Sequence, residues 1–465
     1  MPDTPRYLGL LAAVIALACS EPTSPPLRSP DAPNRTTYTA AASAPTMLEP
    51  YASSSYIIAW GINDFGTISG VSGPSQSAVQ WTTGSAAVAT STAPTVVHAN
   101  SAGGRDVNSS GQIAGHVGSH AVLWTPNGSG YTLTQIGSTI PGAFLSDAFG
   151  INAHGQVVGL YRVSLGGVIH NKCFLWTPDS PNGTTGTASE VAGLGGSFCA
   201  ANDINSSGQI AGASTRANGE SGAFVHSQGN TIDLQPASTW SYATSINDAG
   251  QVAGTTYNGT ALPAAVWSPS APGSWAPATE LGAPTLSGQS GPMQAWALDI
   301  NDAGFVVGFT RDGSSRDRAF FWQGGEFAEL AGVSGGTVTA SAMSNMTSNV
   351  VLVIGGEYNS DNGVRAAHRW AVQLTPVVTA GCLAQLVQQV MELRTAGTLR
   401  DGEARSLLAK LDAASRQSRE GKLTPARNLL LAFIAEVEAL ENSRRLAVSE
   451  SDALTANANC AIAEL

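Results

Sequence analysis

Two patterns in the sequence have the residue types and spacing of reactive or metal-binding sites. Gly332-Val-Ser-Gly-Gly336 fits the Gly-x-Ser-x-Gly pattern of hydrolase nucleophiles, which requires a strand before the serine and a helix after it. No helical pattern follows, so we interpret this stretch as a loop between strands. His116 and His120 are four residues apart and would share one face of a helix, but they flank Gly118 in a strand–turn pattern. Neither pattern predicts a catalytic or metal site.

Other polar residues are better explained by local structure. Asn-Asp pairs at 63–64, 247–248 and 301–302 contain oxygen ligands suited to calcium, but they occupy a recurring turn in which other copies carry Ser or Ala. Residues 359–363 resemble half of an EF-hand loop without its first Asp and its final Glu. The acidic residues are scattered, about one to a repeat, so no pair for acid–base catalysis can be chosen. We therefore predict no catalytic, cofactor-binding or metal-binding residue.

The first of five cysteines has the setting of a lipid attachment site. An apolar run from Leu8 to Ala18 is too short to span a bilayer but suits a signal peptide, and Cys19 follows it directly. Ala16-Leu-Ala-Cys19 resembles a bacterial lipoprotein signal, which implies cleavage after Ala18 and lipidation of Cys19. The alternative is an ordinary signal peptide with an incidental cysteine. Residues 20–50, rich in Pro, Ser and Thr, are then predicted to be a disordered tether.

The remaining cysteines, Cys173, Cys199, Cys382 and Cys460, show no Cys-x-x-Cys spacing. Zinc binding or thioredoxin-like chemistry therefore has little support. In an exported protein such cysteines form disulfides. Proximity along the chain favours the pairs Cys173–Cys199 and Cys382–Cys460.

Charge and composition restrict the possible partners. The chain has 465 residues, a net charge of −11 and no basic cluster, which argues against a nucleic-acid partner. With 43% hydrophobic residues it can bury a core. Residues 376–465 hold 10 of the 22 Lys and Arg and 11 of the 33 Asp and Glu residues, so a charged C-terminal module follows a charge-poor body.

A repeat covers the body of the chain. The pattern Ile-Asn-x-x-Gly-Gln-Val-x-Gly occurs with its asparagine at positions 63, 108, 152, 205, 247 and 301, and a decayed seventh copy passes through Asn345. An apolar segment that usually ends in Trp follows each copy; His226 takes this place in the fourth. Asn-x-x-Gly predicts a tight turn between two strands. Three or four strands in about 47 residues predict a mainly β fold, a β-propeller of about seven blades over residues 51–374, with a β-solenoid as the alternative.

Two family resemblances follow from these residues. The repeat, with its downstream motif in Ala121-Val-Leu-Trp124, Cys173-Phe-Leu-Trp176 and Ala319-Phe-Phe-Trp322, resembles the HAF family of bacterial extracellular repeats, which implies architecture and location but no activity. Residues 380–465 show helical periodicity and predict a four-helix domain clasped by Cys382–Cys460. Gly397-Thr-Leu399, Gly402-Glu-Ala404 and Ala432-Phe-Ile-Ala-Glu-Val437 are similar to the FIMAH domain, which implies an attachment or interaction module.

Taken together, these features predict a non-catalytic exported protein, outer-membrane, cell-surface or extracellular, that contacts the membrane only through its N-terminal lipid. Its repeat domain would bind an unknown protein or glycan, and no cofactor is expected. The alternative is an extracytoplasmic hydrolase or lyase acting on glycans or peptides in the axial pocket of the propeller. Clustered histidines and carboxylates at the axis would favour the enzyme, and a channel lined by Gly and Ala would favour the scaffold.

Overall fold

A computed structural model of the chain describes residues 38–53, 56–84, 93–128, 130–290, 293–347, 349–359, 364–376, 382–419 and 422–465. The predicted signal peptide, Cys19, the first part of the tether and most of the EF-hand-like stretch lie outside the described residues. The chain divides into two compact units, the repeat body and the C-terminal helices.

The repeat turn forms because its Asn and Gly satisfy the local backbone. In the fifth copy the Asn247 Oδ1 atom accepts the Gln251 N–H at 2.8 Å, and Gly250 adopts a φ of 75°. The glycine that ends the motif allows close strand pairing, since a Cβ on Gly254 would lie 2.0 Å from the carbonyl oxygen of Tyr242. Each copy therefore specifies a hairpin of two strands.

Seven antiparallel sheets, or blades, result: six have four strands each, and blade 7 has five because two strands from before the repeats both pair with its last strand. Two strands precede the repeats and belong to blade 7: β1 Tyr38–Ala42 and β2 Thr46–Met47. Blade 1 consists of β3 Ile57–Ile62, β4 Thr67–Ser72, β5 Ser77–Thr82 and β6 Thr95–His98. Blade 2 consists of β7 Ala102–Val107, β8 Ile113–Val117, β9 His120–Pro126 and β10 Tyr131–Gln135. Blade 3 consists of β11 Leu145–Ile151, β12 Val157–Leu165, β13 Val168–Pro178 and β14 Gly186–Val191.

Blade 4 consists of β15 Gly195–Ile204, β16 Ile210–Arg216, β17 Ser221–Ser227 and β18 Asn230–Asp233. Blade 5 consists of β19 Ser241–Ile246, β20 Val252–Thr256, β21 Ala264–Trp267 and β24 Thr279–Gly282. A small hairpin of β22 Pro269–Ala271 and β23 Ser274–Trp275 is inserted between β21 and β24. Blade 6 consists of β25 Gln294–Ile300, β26 Val306–Arg311, β27 Asp317–Gln323 and β28 Glu326–Leu330. Blade 7 consists of β29 Thr337–Met343, β30 Val350–Asn359 and β31 Val364–Pro376 with β1 and β2.

The blades close into a ring. The first strands of successive blades contact one another all the way around, and β29 of blade 7 contacts β3 of blade 1. The first strands therefore line the axis. The predicted seven-bladed propeller is confirmed, and the solenoid alternative is wrong.

The N-terminal boundary of the propeller differs from the prediction. Residues 38–47, predicted to be part of a disordered tether, form β1 and β2, which both pair with β31 at the outer edge of blade 7. The seventh repeat has no fourth strand of its own because the sequence turns to helical periodicity after β31. A segment from before the first repeat supplies it, so the two ends of the repeat region meet in one sheet.

The core lies between the blades and is anchored by the repeated tryptophan. Five of these side chains are at most 1% exposed: Trp81, Trp124, Trp176, Trp267 and Trp370. His226 occupies the same register position, opposite Ile210, as Trp124 does opposite Ile113. Its Nδ1 atom lies 2.8 Å from the Thr231 hydroxyl, and burial lowers its pKa. His226 therefore replaces a tryptophan as a packing residue.

The C-terminal unit contains the four predicted helices, α1 Cys382–Thr395, α2 Asp401–Arg419, α3 Leu423–Asn442 and α4 Val448–Ala463. Their core includes Leu386, Leu411, Phe433 and Leu454. The start of α4 is capped by its own first turn, where the Glu450 carboxylate accepts the Ala447 N–H at 3.0 Å. No helix within the described part of the chain is long and apolar enough to cross a membrane.

Candidate functional site at the propeller axis

The repeated asparagine ties neighbouring blades together. Its Nδ2 atom donates to the backbone carbonyl of the equivalent residue in the next blade. The bonds run from Asn63 to Asn108 (2.9 Å), Asn108 to Asn152 (3.1 Å), Asn152 to Asn205 (3.0 Å), Asn205 to Asn247 (3.0 Å), Asn247 to Asn301 (2.8 Å) and Asn301 to Ser344 (3.2 Å). The sequence predicted the turn but not this second role, which only the ring arrangement creates.

The Asn-Asp pairs extend the same pattern. The Asp248 carboxylate accepts the Ser206 N–H at 2.8 Å, and the Asp302 carboxylate accepts the Asp248 N–H at 2.9 Å. Asp64 accepts the Asn345 N–H at 2.7 Å and thereby joins blade 7 to blade 1. These carboxylates act as inter-blade acceptors at the turns.

Three further acids occupy one repeat position, two residues before the asparagine: Asp106, Asp203 and Asp299, here called the axial carboxylates. They belong to the innermost strands of blades 2, 4 and 6. The interpretation of the acids as scattered is wrong for these three, and aligning the repeats one position further upstream would have revealed them. Blades 1 and 3 have glycine there, and a Cβ on Gly61 would lie 2.7 Å from the Asp106 Cα.

Backbone amides hold the axial carboxylates in place. Asp106 accepts the Ile151 N–H at 3.0 Å, Asp203 accepts the Ile246 N–H at 2.9 Å and Asp299 accepts the Met343 N–H at 2.7 Å. Each bond crosses to the next blade.

A single hydroxyl group lies between two of the acids. The Ser245 Oγ atom is 2.8 Å from Asp203 and 2.7 Å from Asp299. Ser245 can donate its single hydroxyl proton to only one of the two carboxylates. The contact with the other is a hydrogen bond only when that carboxyl group is protonated and donates to the Ser245 oxygen. The geometry therefore favours a proton shared within this group.

Burial and the repulsion between neighbouring carboxylates both raise the pKa values of the axial carboxylates. Burial, followed by the charge of Asp203, raises the pKa of Asp106 to about 7. Burial raises the pKa of Asp299 to about 6, with Asp203 again contributing, and burial raises the pKa of Asp203 too. Groups that titrate near neutrality can perform acid–base chemistry.

We expect Asp106→Asn to change how stability depends on pH. Between about pH 4 and pH 7 the Asp106 carboxyl is ionised in the unfolded chain but protonated in the folded one, so the native protein binds more protons and its stability falls as pH rises, by up to about 1.4 kcal/mol per pH unit. The Asp106→Asn variant has no carboxyl group at this position, so this fall in stability with rising pH is absent from it. Urea unfolding of both proteins across this pH range is the test. The free energy of unfolding of the variant minus that of the original chain should rise with pH and become constant above pH 7. A difference that does not depend on pH would contradict the raised pKa of Asp106.

A second group spans the first three blades and is here called the inner-wall cluster: Trp60, Arg105 and Asp147 lie on the first strands, and His116 lies on the second strand of blade 2. The Arg105 guanidinium carbon lies 4.1 Å from the centre of the Trp60 ring, and its Nη2 atom is 3.0 Å from Asp147. His116 Nδ1 is 3.1 Å from the other oxygen of Asp147. Burial alone would raise the pKa of Asp147, but Arg105 and His116 outweigh it and the net pKa is lowered.

The partially exposed Trp60 ring offers a ligand a stacking surface, whereas the Arg105 guanidinium is mostly buried and is paired with Asp147. His120 is exposed and lies on β9, whereas His116 lies on β8 and contacts Asp147. The structure thus places the two histidines in different environments.

The Gly-x-Ser-x-Gly stretch is a loop that binds a buried acid, Glu357. This carboxylate accepts the N–H groups of Val333 (2.8 Å), Ser334 (2.9 Å) and Gly336 (2.9 Å) and the Ser334 hydroxyl (2.8 Å). Burial would raise its pKa, but these bonds lower it to about 2.

The order of contacts argues against a nucleophile. A catalytic serine donates to a basic histidine, which is in turn held by a carboxylate. Here Ser334 donates to Glu357 directly, and His368 Nε2 lies 3.0 Å from the other Glu357 oxygen. Burial, the largest influence, lowers the pKa of His368. The three residues therefore anchor a loop.

Both predicted disulfides are present. Cys173 on β13 is joined to Cys199 on β15, with Cα atoms 5.2 Å apart, and so links blades 3 and 4. Cys382 and Cys460 join α1 to α4 with Cα atoms 5.6 Å apart. Glu464 lies beside this second bridge and accepts the Cys382 N–H at 3.2 Å.

A comparison with protein families supports the C-terminal unit. Residues 383–463 match the FIMAH domain. No curated protein matches the chain.

Solved structures similar to the chain include TolB from Acinetobacter baumannii (13% identity, TM-score 0.34, 66% of this chain and 64% of that chain covered) and the β-propeller domain of the Trilobed protease from Pyrococcus furiosus (10%, 0.40, 59% and 81%). A third is YCF48 bound to a D1 peptide (10%, 0.39, 72% and 98%). The match therefore spans just under two thirds of the length of the TolB chain.

Proposed function

We propose that the protein is an exported, lipid-anchored scaffold at the cell surface, whose propeller binds a protein or glycan ligand without transforming it. Cys19 would carry the lipid, residues 20–37 would form the tether, and the repeats would belong to the HAF family. The FIMAH domain at the C-terminus would serve attachment or interaction. A propeller joined to a FIMAH domain is compatible with this role.

The observation that carries the proposal is how the polar groups at the axis are used. The axial carboxylates accept hydrogen bonds from backbone amides of the next blade, and the Ser245 hydroxyl contacts both Asp203 and Asp299. Trp60, by contrast, is partially exposed and presents a surface that a ligand can contact. We infer that ligand binding takes place on the inner wall, with the ligand itself left open between protein and glycan.

The alternative, a hydrolase or lyase acting on glycans or peptides, is favoured by one observation. Carboxylates do gather at the axis, and the pKa values of Asp106 and Asp299 lie near 7 and 6. An enzyme of this kind would lose turnover in Asp203→Asn and Asp299→Asn, whereas a scaffold would keep its ligand binding in both.

We expect Cys19→Ser to abolish lipid attachment and to lower the share of the protein that is recovered with membranes. The short apolar run that ends at Cys19 predicts lipid attachment there, and a serine cannot form the thioether. Fractionation of cells that express each form, with the mass of the mature protein measured, is the test. A variant that stays in the membrane fraction with an unchanged mass would show that the lipoprotein assignment is wrong.

A further inference from the structure

One hairpin of blade 3 carries exposed aliphatic residues at its end. The hairpin tip, residues 165–169, contains Leu165, Val168 and Ile169, which are 50%, 57% and 61% exposed. Most other large apolar side chains exposed in the described residues occur singly along the chain, as is ordinary for a protein surface. Phe144, 49% exposed, lies beside the stem of this hairpin, where its N–H donates to the Arg162 carbonyl at 3.1 Å. This concentration of exposed apolar side chains indicates an interaction site.

The shape of the tip favours a lipid over a protein. β12 and β13 remain paired up to Leu165 and Val168, and Gly166 and Gly167 close the turn with φ of 58° and 81°. Side chains alternate between the faces of a strand, so Leu165 and Val168 share one face and Ile169 lies on the other. A protein surface would cover one face of such a hairpin, whereas a bilayer surrounds both.

The charges behind the tip match an anionic surface. Arg162, His170 and Lys172 lie on the stem, and residues 148–178 contain no Asp or Glu, although the chain as a whole carries −11. Arg162 donates to Asn171 at 2.9 Å, and Lys172 pairs with Glu190 of β14 at 2.8 Å. Leu165 lies three positions beyond Arg162 along the strand, a distance of about 10 Å. This distance is comparable with the depth of roughly 5–10 Å to which interfacial segments enter a bilayer.

We propose that the blade 3 hairpin tip inserts into the boundary between headgroups and acyl chains of an anionic bilayer, with Arg162 and Lys172 at the headgroup level. This contact is independent of the lipid on Cys19 and orients the propeller at the membrane to which the lipid tethers it. Backbone pairing up to the turn leaves few peptide groups without partners in the inserted part.

The test uses the full chain with Cys19→Ser, so that no lipid anchor contributes. Vesicles of phosphatidylcholine, with and without phosphatidylglycerol, are sedimented with this protein and with a form that also carries Leu165→Ser, Val168→Ser and Ile169→Ser. We expect binding to the anionic vesicles, and a partition constant roughly 100-fold lower for the triple variant, from roughly a fivefold loss per aliphatic side chain. The replaced side chains are exposed, and circular dichroism checks that the variant is folded.

Phe65→Ser is the matched control, because Phe65 is 63% exposed but lies in the repeat turn of blade 1; it should bind vesicles like the parent. A Leu165→Trp variant should show a blue shift of its added emission when anionic vesicles are present. Equal sedimentation of parent and triple variant, or an emission of the Leu165→Trp variant that vesicles do not shift, would overturn the proposal. The proposal would also be overturned if the parent did not bind vesicles but formed dimers and the triple variant did not. The hairpin tip would then be a contact between two copies of the chain. Each of these results leaves the scaffold function untouched.

Discussion

Glu357→Ala is expected to lower the free energy of unfolding of the propeller by about 3–5 kcal/mol, the range for removing one partner of a buried charged network. The carboxylate accepts four hydrogen bonds from the Val333–Gly336 loop and contacts His368, which is fully buried. Alanine removes the acceptor of the four part-buried loop donors and the partner of the fully buried His368.

Glu357→Gln is the matched variant for this experiment. Its amide keeps one acceptor oxygen but loses the charge, so its loss of stability should lie between those of the original chain and the alanine variant. Urea unfolding at neutral pH measures both. A loss below about 1 kcal/mol for Glu357→Ala would mean that the loop is held by other contacts.

Removing the N-terminal strands is expected to have an equally large effect. A chain that begins at Leu48 lacks β1 and β2, so the outer edge of β31 loses its partners, among them the two hydrogen bonds between Ser43 and Ala371. An open edge in the last blade both weakens the ring and offers a strand for association.

A chain that begins at Tyr38 is the control, since it keeps both strands and lacks only the residues before them. Thermal unfolding and light scattering should show a melting temperature at least about 5 °C lower, together with aggregation, for the shorter chain only. Equal melting temperatures would show that β31 does not need the N-terminal strands.

Local sequence patterns were sufficient to predict the blades and helices. The Asn-x-x-Gly turn, the closing tryptophan and the 3.6-residue periodicity after residue 380 act within a few residues of the chain, and each is visible in one copy of its unit. The disulfides could be predicted because their partners follow one another among few cysteines. These features depend on short-range geometry.

The missing parts depend on contacts between distant segments. β1 and β2 carry no repeat motif, and only the absent fourth strand of the last repeat points to them. The axial carboxylates, Asp106, Asp203 and Asp299, belong to alternate blades, so their proximity depends on the closure of the ring. The role of Glu357 depends on a loop 21 to 24 residues upstream of it.

The most direct test of the proposed function asks whether a bound ligand is recovered unchanged. Purified protein is incubated with glycans and peptides isolated from the cell envelope, the bound material is eluted, and mass spectrometry compares it with the input. A scaffold that binds at the inner wall returns intact ligand, and Trp60→Ala retains much less of it while staying folded. Shortened glycans or peptides that appear with the original chain, but not with Asp203→Asn or Asp299→Asn, would contradict the scaffold and identify the axial carboxylates as catalytic.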